Sequence, residues 1–389
     1  MNMKQAFKKV MAVSMAAAFA VISLAACSKS SSSSSDEIVI GGLAPLTGSV
    51  SLYGKATTNG AQLAFKEINA AGGINGKQIK YVVLDEKGDA QEAITAYNRL
   101  RDQEKMVALL GDVTSTPSLA VAQRAVQDNI PMLTPTSTDA QVTLTGDNVF
   151  RICFIDPDQG TTMAKYASEK LGAKTAAIIS NASDTYSVGL TKAFTEEAEA
   201  LGLTITASET YGKDDKDFKS QLTKIQQTNP DVLYCPDYYE TDILILSQAK
   251  EVGLNIPILG GDGWDGILNV TEEGNPQEAD GVYFTNHFSE SDTSEKVQNF
   301  IAAYKEEYDE DPVSFSALGY DAAYMLAEAI KNANSTDSDA ITSALQSISY
   351  EGVTGSISFD ENGDPIKPIL IIKVDGGEYT VADKMEIER

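Results

Sequence analysis

The sequence contains almost no histidine: His287 is the only one among 389 residues. A single histidine excludes a His-rich metal site and argues against a catalytic triad built on histidine. Cysteine is also scarce, and a total of three excludes both a disulfide scaffold and a four-cysteine zinc site. We therefore expect a protein without a metal centre.

Positive charge is in short supply, because 30 Lys and Arg stand against 56 Asp and Glu, for a net charge of −26. A surface this acidic repels the phosphate backbone of DNA and RNA, so we expect no nucleic-acid binding. Hydrophobic residues make up 42% of the chain, which excludes a disordered protein. The length suggests two or three domains.

Long apolar runs are missing except near the N-terminus. Residues 10–24 form an apolar run of about 15 residues, fewer than the roughly 20 that a membrane-spanning helix needs. Lysines precede this run and small residues follow it, which is the pattern of an export signal. We predict that residues 1–26 form a signal peptide.

The sequence LAAC at 24–27 resembles a bacterial lipobox, in which the cysteine is acylated and the chain is cut just before it. The residues that follow, up to 35, are almost all serine and predict a flexible tether. We expect lipidation at Cys27 and a lipid anchor in the cell membrane, on its extracytoplasmic side or in the periplasm. An ordinary secretory signal with a chance cysteine is the alternative.

Beyond residue 36 the sequence alternates between short apolar strands and amphipathic helices. The strand predicted at 37–43, for example, is followed by Ala61, Ala64, Phe65 and Ile68, which fall on one helical face. Such alternation predicts an α/β fold with two doubly wound lobes, each built on a parallel sheet. The other predicted strands are 78–84, 106–110, 130–133, 148–154, 176–180, 203–207, 231–235, 257–259, 281–286, 357–360, 369–374 and 378–381.

Four loops follow predicted strands, at 44–48, 111–116, 134–138 and 260–265, and ligands of open parallel sheets bind at such loops. They are rich in hydroxyl groups, glycine and acids, and they contain no Lys, Arg or His. This chemistry suits a small polar molecule whose carboxylate meets helix N-termini and whose cationic group meets an acid. It does not suit phosphate chemistry, so we expect no nucleotide cofactor.

At this point several motifs become recognisable, in the same order along the chain. IGGLAPLTG at 40–48, EINAAGGING at 67–76 and GGDGW at 260–264 look like the leucine/isoleucine/valine-binding proteins, which are solute-binding subunits of ABC importers. GTTMA at 160–164 and PDYY at 236–239 agree with this resemblance. The resemblance covers essentially all of the chain from residue 37 onward.

The resemblance implies a type I periplasmic-binding-protein fold, in which three crossings join two lobes and the ligand lies in the cleft between them. By the matching stretches, lobe one comprises residues 36–155 and 287–366. Lobe two comprises residues 156–286 and 367–389. Closure of this hinge would present the loaded protein to a membrane permease.

The resemblance also assigns candidate ligand contacts. Ser115 and Thr138 would bind the α-carboxylate, helped by backbone near Thr136, and Asp262 would bind the α-ammonium group. The alternative for Ser115 and Thr138 is a role as helix caps, which is compatible with ligand contact. Aromatic residues would line the pocket, although the tryptophan could instead pack within its loop. These candidates are Tyr53, Tyr186, Tyr238 and Trp264.

The most specific function that the resemblance implies is that of a lipoprotein that binds a free amino acid, namely leucine, isoleucine or valine, and delivers it to an ABC permease. We expect a monomer without enzymatic activity. A protein of the same fold for another small ligand, such as an aromatic amino acid, an amide, urea or a polyamine, is the first alternative. A sensory receptor and an exported enzyme are further alternatives.

Overall fold

The computed structural model describes residues 37–272 and 275–387. The predicted signal peptide, Cys27 and the serine-rich tether lie outside these residues. Within them the chain forms two α/β lobes, each built on one large sheet packed against helices, which confirms the predicted fold class. No helix in this part of the chain combines the length and the apolarity needed to cross a bilayer.

Strands and helices are numbered here in chain order. The strands are β1 Glu37–Ala44, β2 Gln78–Asp85, β3 Ala108–Leu110, β4 Met132–Thr134, β5 Val149–Arg151, β6 Thr175–Asn181, β7 Thr204–Tyr211, β8 Val232–Tyr234, β9 Ile258–Gly260, β10 Val282–Asn286, β11 Ser349–Gly352, β12 Gly355–Ser358, β13 Ile369–Asp375 and β14 Glu378–Met385. The helices are α1 Ser51–Ala70, α2 Ala90–Arg99, α3 Ser115–Gln127, α4 Asp156–Lys165, α5 Thr185–Ala200, α6 Lys219–Thr228, α7 Tyr239–Glu251, α8 Glu295–Tyr308, α9 Ser314–Ala333 and α10 Ser338–Gln346.

The first lobe is built on a five-stranded sheet in the order β2-β1-β3-β4-β5. The pairs β1–β3, β3–β4 and β4–β5 are parallel, as the alternation of strands and helices predicts. Helices α1, α2 and α3 connect these strands, and α9 from the C-terminal third packs along α1. The first turns of α1, α3 and α9 all face the second lobe, which brings their N-termini to the cleft.

The second lobe is built on a seven-stranded sheet in the order β14-β13-β10-β9-β8-β6-β7. Strands β6 to β10 pair in parallel, but β13 is antiparallel to β10 and to β14. The closing strands predicted at 369–374 and 378–381 thus form an antiparallel pair at the edge of an otherwise parallel sheet. A tight turn at Gly376 and Gly377, both with positive φ, joins β13 to β14 and forces them to run in opposite directions.

Helices α1 and α9 come unusually close because two glycines lie at their contact. A Cβ added at Gly60 would overlap the carbonyl oxygen of Ser316, and one added at Gly319 would overlap that of Thr57. The predicted apolar face of α9 is buried at Ala322, Met325, Leu326, Ala329 and Ile330. Close packing along this seam fixes the first turn of α9 against the first turns of α1.

The small sheet of β11 and β12 is a hairpin whose strands differ from the one predicted by the sequence pattern. A strand was expected at 357–360, whereas the structure has antiparallel strands at 349–352 and 355–358. The buried carboxylate of Asp321 fixes the turn by accepting hydrogen bonds from the backbone N–H groups of Val353 (2.9 Å) and Thr354 (2.8 Å). The register therefore depends on a residue of α9, which a local pattern cannot reveal.

Candidate functional site

A small cavity of about 10 Å³ lies where the loops of the two sheets meet. This volume holds about one water molecule, so the walls of the cavity must move apart to admit a larger ligand. The cavity is lined by Val113, Thr114, Ser115, Thr136, Thr138, Tyr186, Tyr238, Asp262, Gly263 and Phe315. Six of the eight predicted contacts are in this lining, and the cavity contains a single charged side chain, Asp262.

The first-lobe wall of the cavity is the N-terminus of α3. Thr114 and Ser115 line the cavity at this end, and the N-cap residue Thr114 makes no side-chain cap hydrogen bond. The first turn of α3 also contains no acidic residue. Because the first N–H groups of a helix have no partner within it, an uncapped N-terminus is suited to an anion such as a carboxylate.

The hydroxyl loop at 136–138 is held in place from behind by a buried arginine. The Arg151 guanidinium donates to the carbonyl oxygens of Ser137 (2.6 Å) and Asp139 (2.8 Å) and forms an ion pair with Asp364 (2.6 Å). On the cavity side, the hydroxyl of Thr136 donates to the carbonyl oxygen of Val113 (2.7 Å), which ties this loop to the α3 loop. The two loops therefore form one rigid wall.

The second-lobe wall centres on the carboxylate of Asp262, which is buried. Its Oδ1 accepts hydrogen bonds from the Tyr186 hydroxyl (2.9 Å) and from Gln159 Nε2 (3.1 Å). Its Oδ2 lies 3.2 Å from Nε2 of His287. The Tyr186 hydroxyl also accepts from the backbone N–H of Gly263 (2.8 Å), so the loop and its carboxylate form one network.

Aromatic rings fill the remaining walls. Tyr186 and Tyr238 stack with their centroids 4.9 Å apart, and both line the cavity. Tyr53 lies one layer further back, where it stacks on Phe315 at 4.1 Å and donates a hydrogen bond to the carbonyl of Gly263. Tyr53 therefore supports the wall and joins the two lobes, and it is not part of the cavity lining.

Trp264 is placed away from the cavity, in the core of the second lobe. The side chain is fully buried, and its Nε1 donates to the carbonyl oxygen of Cys235 (2.7 Å). The indole lies against Gly260, where a Cβ would overlap it. This position corresponds to the loop-packing alternative, so we do not include Trp264 among the ligand contacts. Cys235 and Cys153, the cysteines of the described residues, are both buried and free.

Two further hydrogen bonds join the lobes beside the cavity. The hydroxyl of Thr116, in the first turn of α3, donates to Oδ1 of Asp184, which precedes α5 (2.7 Å). The backbone N–H of Ser314, at the start of α9, donates to Oδ2 of Asp265 (2.7 Å). Asp265 is buried, and burial raises the pKa of its carboxyl. The structure is thus a closed form with polar contacts on both sides of the cavity.

A larger cavity of about 880 Å³ flanks the same first turn of α9. Residues of both lobes line it, including Ser314, Ser316 and Asp265, together with exposed acids such as Glu310 and Asp311 at its rim. It contains none of the eight predicted contacts. The smaller cavity is the candidate site because it combines an uncapped helix N-terminus, hydroxyl groups and a buried carboxylate.

Sequence reasoning missed several residues of the site. Val113, Thr114, Gly263 and Phe315 line the cavity, but three of them are neighbours of predicted contacts and only the last lies elsewhere in the chain. Gln159 and His287 contact Asp262 from 103 and 25 residues away. The rarity of histidine is the one sequence signal that involves His287, and it argues against a His-rich metal site and a histidine-based triad without indicating this contact.

Comparison with known proteins gives a consistent result. A family model described as periplasmic binding protein matches residues 37–378. The chain is 31% identical over 354 residues to the Leu/Ile/Val-binding protein BraC3 of Rhizobium johnstonii, an alignment that covers 89% of this chain and 94% of that one.

Solved structures extend this similarity to the fold. The substrate-binding protein LivJ of a branched-chain amino acid transporter from Streptococcus pneumoniae, solved in complex with isoleucine, is 34% identical, with a TM-score of 0.84. The leucine binding protein LivK from Thermotoga maritima is also 34% identical, with a TM-score of 0.84. Each comparison covers 90% of this chain and 99% of the other.

Proposed function

Because this chain belongs to the periplasmic binding protein family, together with the Leu/Ile/Val-binding proteins, we propose that it binds leucine, isoleucine or valine for an ABC importer. Membership in the family confirms the resemblance seen in the sequence and places the protein outside the cytoplasm. The family is one of solute-binding proteins, which supports a role in binding and delivery without catalysis.

One observation carries the proposal: the cavity offers opposite partners to the two charges of an α-amino acid. The uncapped N-terminus of α3, with Ser115 and Thr138 nearby, suits the α-carboxylate. Asp262 on the opposite wall suits the α-ammonium group. The apolar surface of Val113 and Phe315 remains for the side chain. An uncharged amide would leave Asp262 without a cation, at the cost of a buried unpaired charge.

Calorimetric titration tests this proposal. We would express residues 36–389, remove bound ligand by unfolding and refolding, and titrate each branched-chain amino acid. We expect saturable binding with a dissociation constant in the micromolar range or tighter, and a loss of at least tenfold in Asp262→Asn. Asp214→Asn, which changes an exposed aspartate, is the matched control and should bind as the wild type. A folded wild type that releases no heat with any amino acid would contradict the proposal.

A second candidate is an aromatic amino acid, which the rings along the cavity favour. Tyr186 and Tyr238 are stacked there, and Phe315 lines the same cavity. An aromatic ligand would gain edge or offset contacts with these rings of about 0.5–1.5 kcal/mol per pair. Titration with phenylalanine and tyrosine under the same conditions separates this candidate from leucine. Amides, urea and polyamines lack one or both of the two charges, and we expect them not to bind under the same conditions.

The attachment and assembly of the protein complete the proposal. We propose a lipid on Cys27, a tether over 27–35, and lobes comprising 36–155 with 287–366 and 156–286 with 367–389. The three chain crossings between the two sheets support these boundaries. We also propose a monomer that docks on a permease when closed. Labelling of cells with a radioactive fatty acid should mark the wild type and not Cys27→Ser, and incorporation into that variant would disprove the anchor.

A further inference from the structure

The carboxylate of Asp262 is held by three donors from three separate segments. Tyr186 and Gln159 donate to Oδ1, at 2.9 and 3.1 Å, and the ring of His287 lies 3.2 Å from Oδ2. Tyr186 was a predicted contact, but neither the resemblance nor the lining of the cavity assigns a role to Gln159 or His287. Both side chains are fully buried, so their polar atoms contact protein groups and not solvent.

The orientation of the Gln159 amide is fixed by its other contacts. Its Oε1 accepts hydrogen bonds from the backbone N–H of Asp262 (2.9 Å) and from the hydroxyl of Thr285. A backbone N–H can only donate, so the oxygen of the amide must face it. The Nε2 group is therefore directed at the carboxylate. Gln159 clamps both the backbone and the side chain of Asp262 from the first turn of α4.

The protonation state of His287 follows from its surroundings. A carboxylate can only accept, so the nitrogen that faces Asp262, Nε2, carries the proton. The ring stacks on Phe154, with the centroids 3.5 Å apart, and is wholly buried. Burial lowers the pKa of His287 to about 4, so the ring is neutral at physiological pH. His287 thus donates a hydrogen bond without adding a positive charge.

We propose that Gln159 and His287 are positioning residues that aim the carboxylate of Asp262 at the α-ammonium group of the ligand. Both are uncharged donors, so they fix the carboxylate without neutralising it, and the lining of the cavity contains no Lys or Arg. The ammonium group of the ligand is then the cation that completes the site. This inference rests on the proposed function, because it assigns the ammonium subsite of that function.

The location of His287 gives the arrangement a second consequence. His287 directly follows β10, on the second crossing between the lobes, and Phe154 lies on the first crossing. Asn286 Oδ1 accepts a hydrogen bond from the backbone N–H of His287 (2.6 Å), which holds this crossing locally. The ammonium partner is therefore braced against two hinge segments, so occupation of the subsite acts on the segments that move on closure.

Two ligands that differ only in the ammonium group test the proposal. We would measure leucine and 4-methylpentanoate, which is leucine without its amino group, on His287→Leu and Gln159→Met. The expected result is a loss of at least tenfold in leucine affinity with a change below twofold for 4-methylpentanoate. His287→Gln, which keeps an N–H donor, should recover most of the leucine affinity. A merely structural role would weaken both ligands together.

The outcomes separate this inference from the proposed function. If the wild type does not bind leucine, the proposed function fails. If the wild type binds leucine but the variants retain it, or lose both ligands in parallel, the positioning role is wrong.

A measurement on the wild type tests the proposal even if the variants do not fold. Because the sequence has one histidine, its ¹⁵N resonances are unambiguous. We expect a neutral ring with the proton on Nε2 at pH 7 and a shift of the Nε2 resonance with leucine but not with 4-methylpentanoate. A charged ring, or a proton on Nδ1, would overturn the proposal.

Discussion

Two carboxyl groups, Glu86 and Asp112, are buried side by side, and Asp112 belongs to the 111–116 loop that precedes α3. Burial raises the pKa of Asp112 to about 7. Burial also raises the pKa of Glu86 to about 9, with a further contribution from the charge of Asp112. Loss of protons from this buried pair therefore costs stability in the folded state as pH rises.

The sign of the resulting pH dependence is fixed. A carboxyl group whose pKa is raised in the folded state contributes stability below its unfolded pKa, and this stability is lost as pH rises toward the folded value. Each pH unit costs about 1.4 kcal/mol for a carboxyl that stays protonated in the folded state, so we expect this pair to lower the free energy of unfolding by several kcal/mol between pH 5.5 and 8.5. Glu86→Gln should flatten this dependence, as measured by urea unfolding at both values.

The control for this measurement is Glu199→Gln, which changes an exposed glutamate of α5. This variant should follow the wild type at both pH values. An equal loss of stability in Glu86→Gln and in the wild type between pH 5.5 and 8.5 would show that the buried pair is not the cause.

Gln159 and His287 are residues of the site that the sequence alone could not identify. The candidates Ser115, Thr138 and Asp262 come from the family resemblance, and all three line the cavity. The role of Gln159 depends on a contact across 103 residues, and no local pattern marks it. Trp264 lies two residues from Asp262, but its side chain turns into the core, and adjacency in sequence does not give that direction.

At the level of elements, the N-terminus of α9 is capped by the opposite lobe. Val313, the N-cap residue of α9, provides no side-chain cap, and Asp265 of the second lobe accepts from Ser314 N–H instead. A carboxylate at a helix N-terminus gains both a hydrogen bond and a favourable interaction with the helix dipole. This cap exists only when the lobes are closed, so it stabilises the closed form selectively.

Replacement of this cap should weaken ligand binding more than it weakens the fold. We expect Asp265→Ala to lower leucine affinity by about 2- to 30-fold, which corresponds to the roughly 0.5–2 kcal/mol of a helix cap. Calorimetry measures the affinity, and thermal unfolding without ligand measures the stability. Because the open form lacks this cap, the unfolding temperature of the ligand-free protein should change little.

Asp337→Ala is the matched control, because Asp337 caps α10 within a single lobe by accepting from the N–H groups of Asp339 and Ala340. It should lower the unfolding temperature and leave leucine affinity within twofold. If Asp265→Ala behaved like Asp337→Ala, the cap across the lobes would not contribute to closure.

The close contact between α1 and α9 predicts that a Gly→Ala substitution there lowers stability, the opposite of its usual effect in a helix. In an exposed helix, Gly→Ala stabilises by about 1 kcal/mol. At Gly319 the added methyl group would overlap the carbonyl oxygen of Thr57, so we expect Gly319→Ala to destabilise by about 1–3 kcal/mol. Urea unfolding measures the difference. A gain in stability would show that the two helices can separate without cost.

The strand and helix order was predictable from the sequence because buried strands and one-sided helices leave clear periodic signals. The predicted apolar face of α9 is buried, and the parallel pairing of β1, β3, β4 and β5 follows from the alternation. The hairpin of β11 and β12 was not predictable in this way. Its geometry depends on Asp321 of α9, which is distant in sequence.

On the scale of the whole molecule, the two lobes carry different halves of the proposed recognition. The first lobe supplies the N-terminus of α3 for an anion, and the second lobe supplies Asp262 for a cation. A ligand that carries both charges therefore bridges the cleft, whereas a ligand with one charge satisfies one lobe. We expect leucine, but not 4-methylpentanoate, to reduce the radius of gyration in small-angle X-ray scattering. Equal compaction by both would place the driving force in the groups that the two ligands share, the carboxylate and the apolar side chain, and would contradict a role of the ammonium group in closure.

Titration of the wild type with leucine and with its two halves tests the central claim most directly. The halves are 4-methylpentanoate, which keeps the carboxylate, and 3-methylbutylamine, which keeps the ammonium group. Recognition of a zwitterion across the cleft requires leucine to bind at least a hundredfold more tightly than either half. Binding of either half with an affinity close to that of leucine, or no binding of leucine by the folded protein, would contradict it.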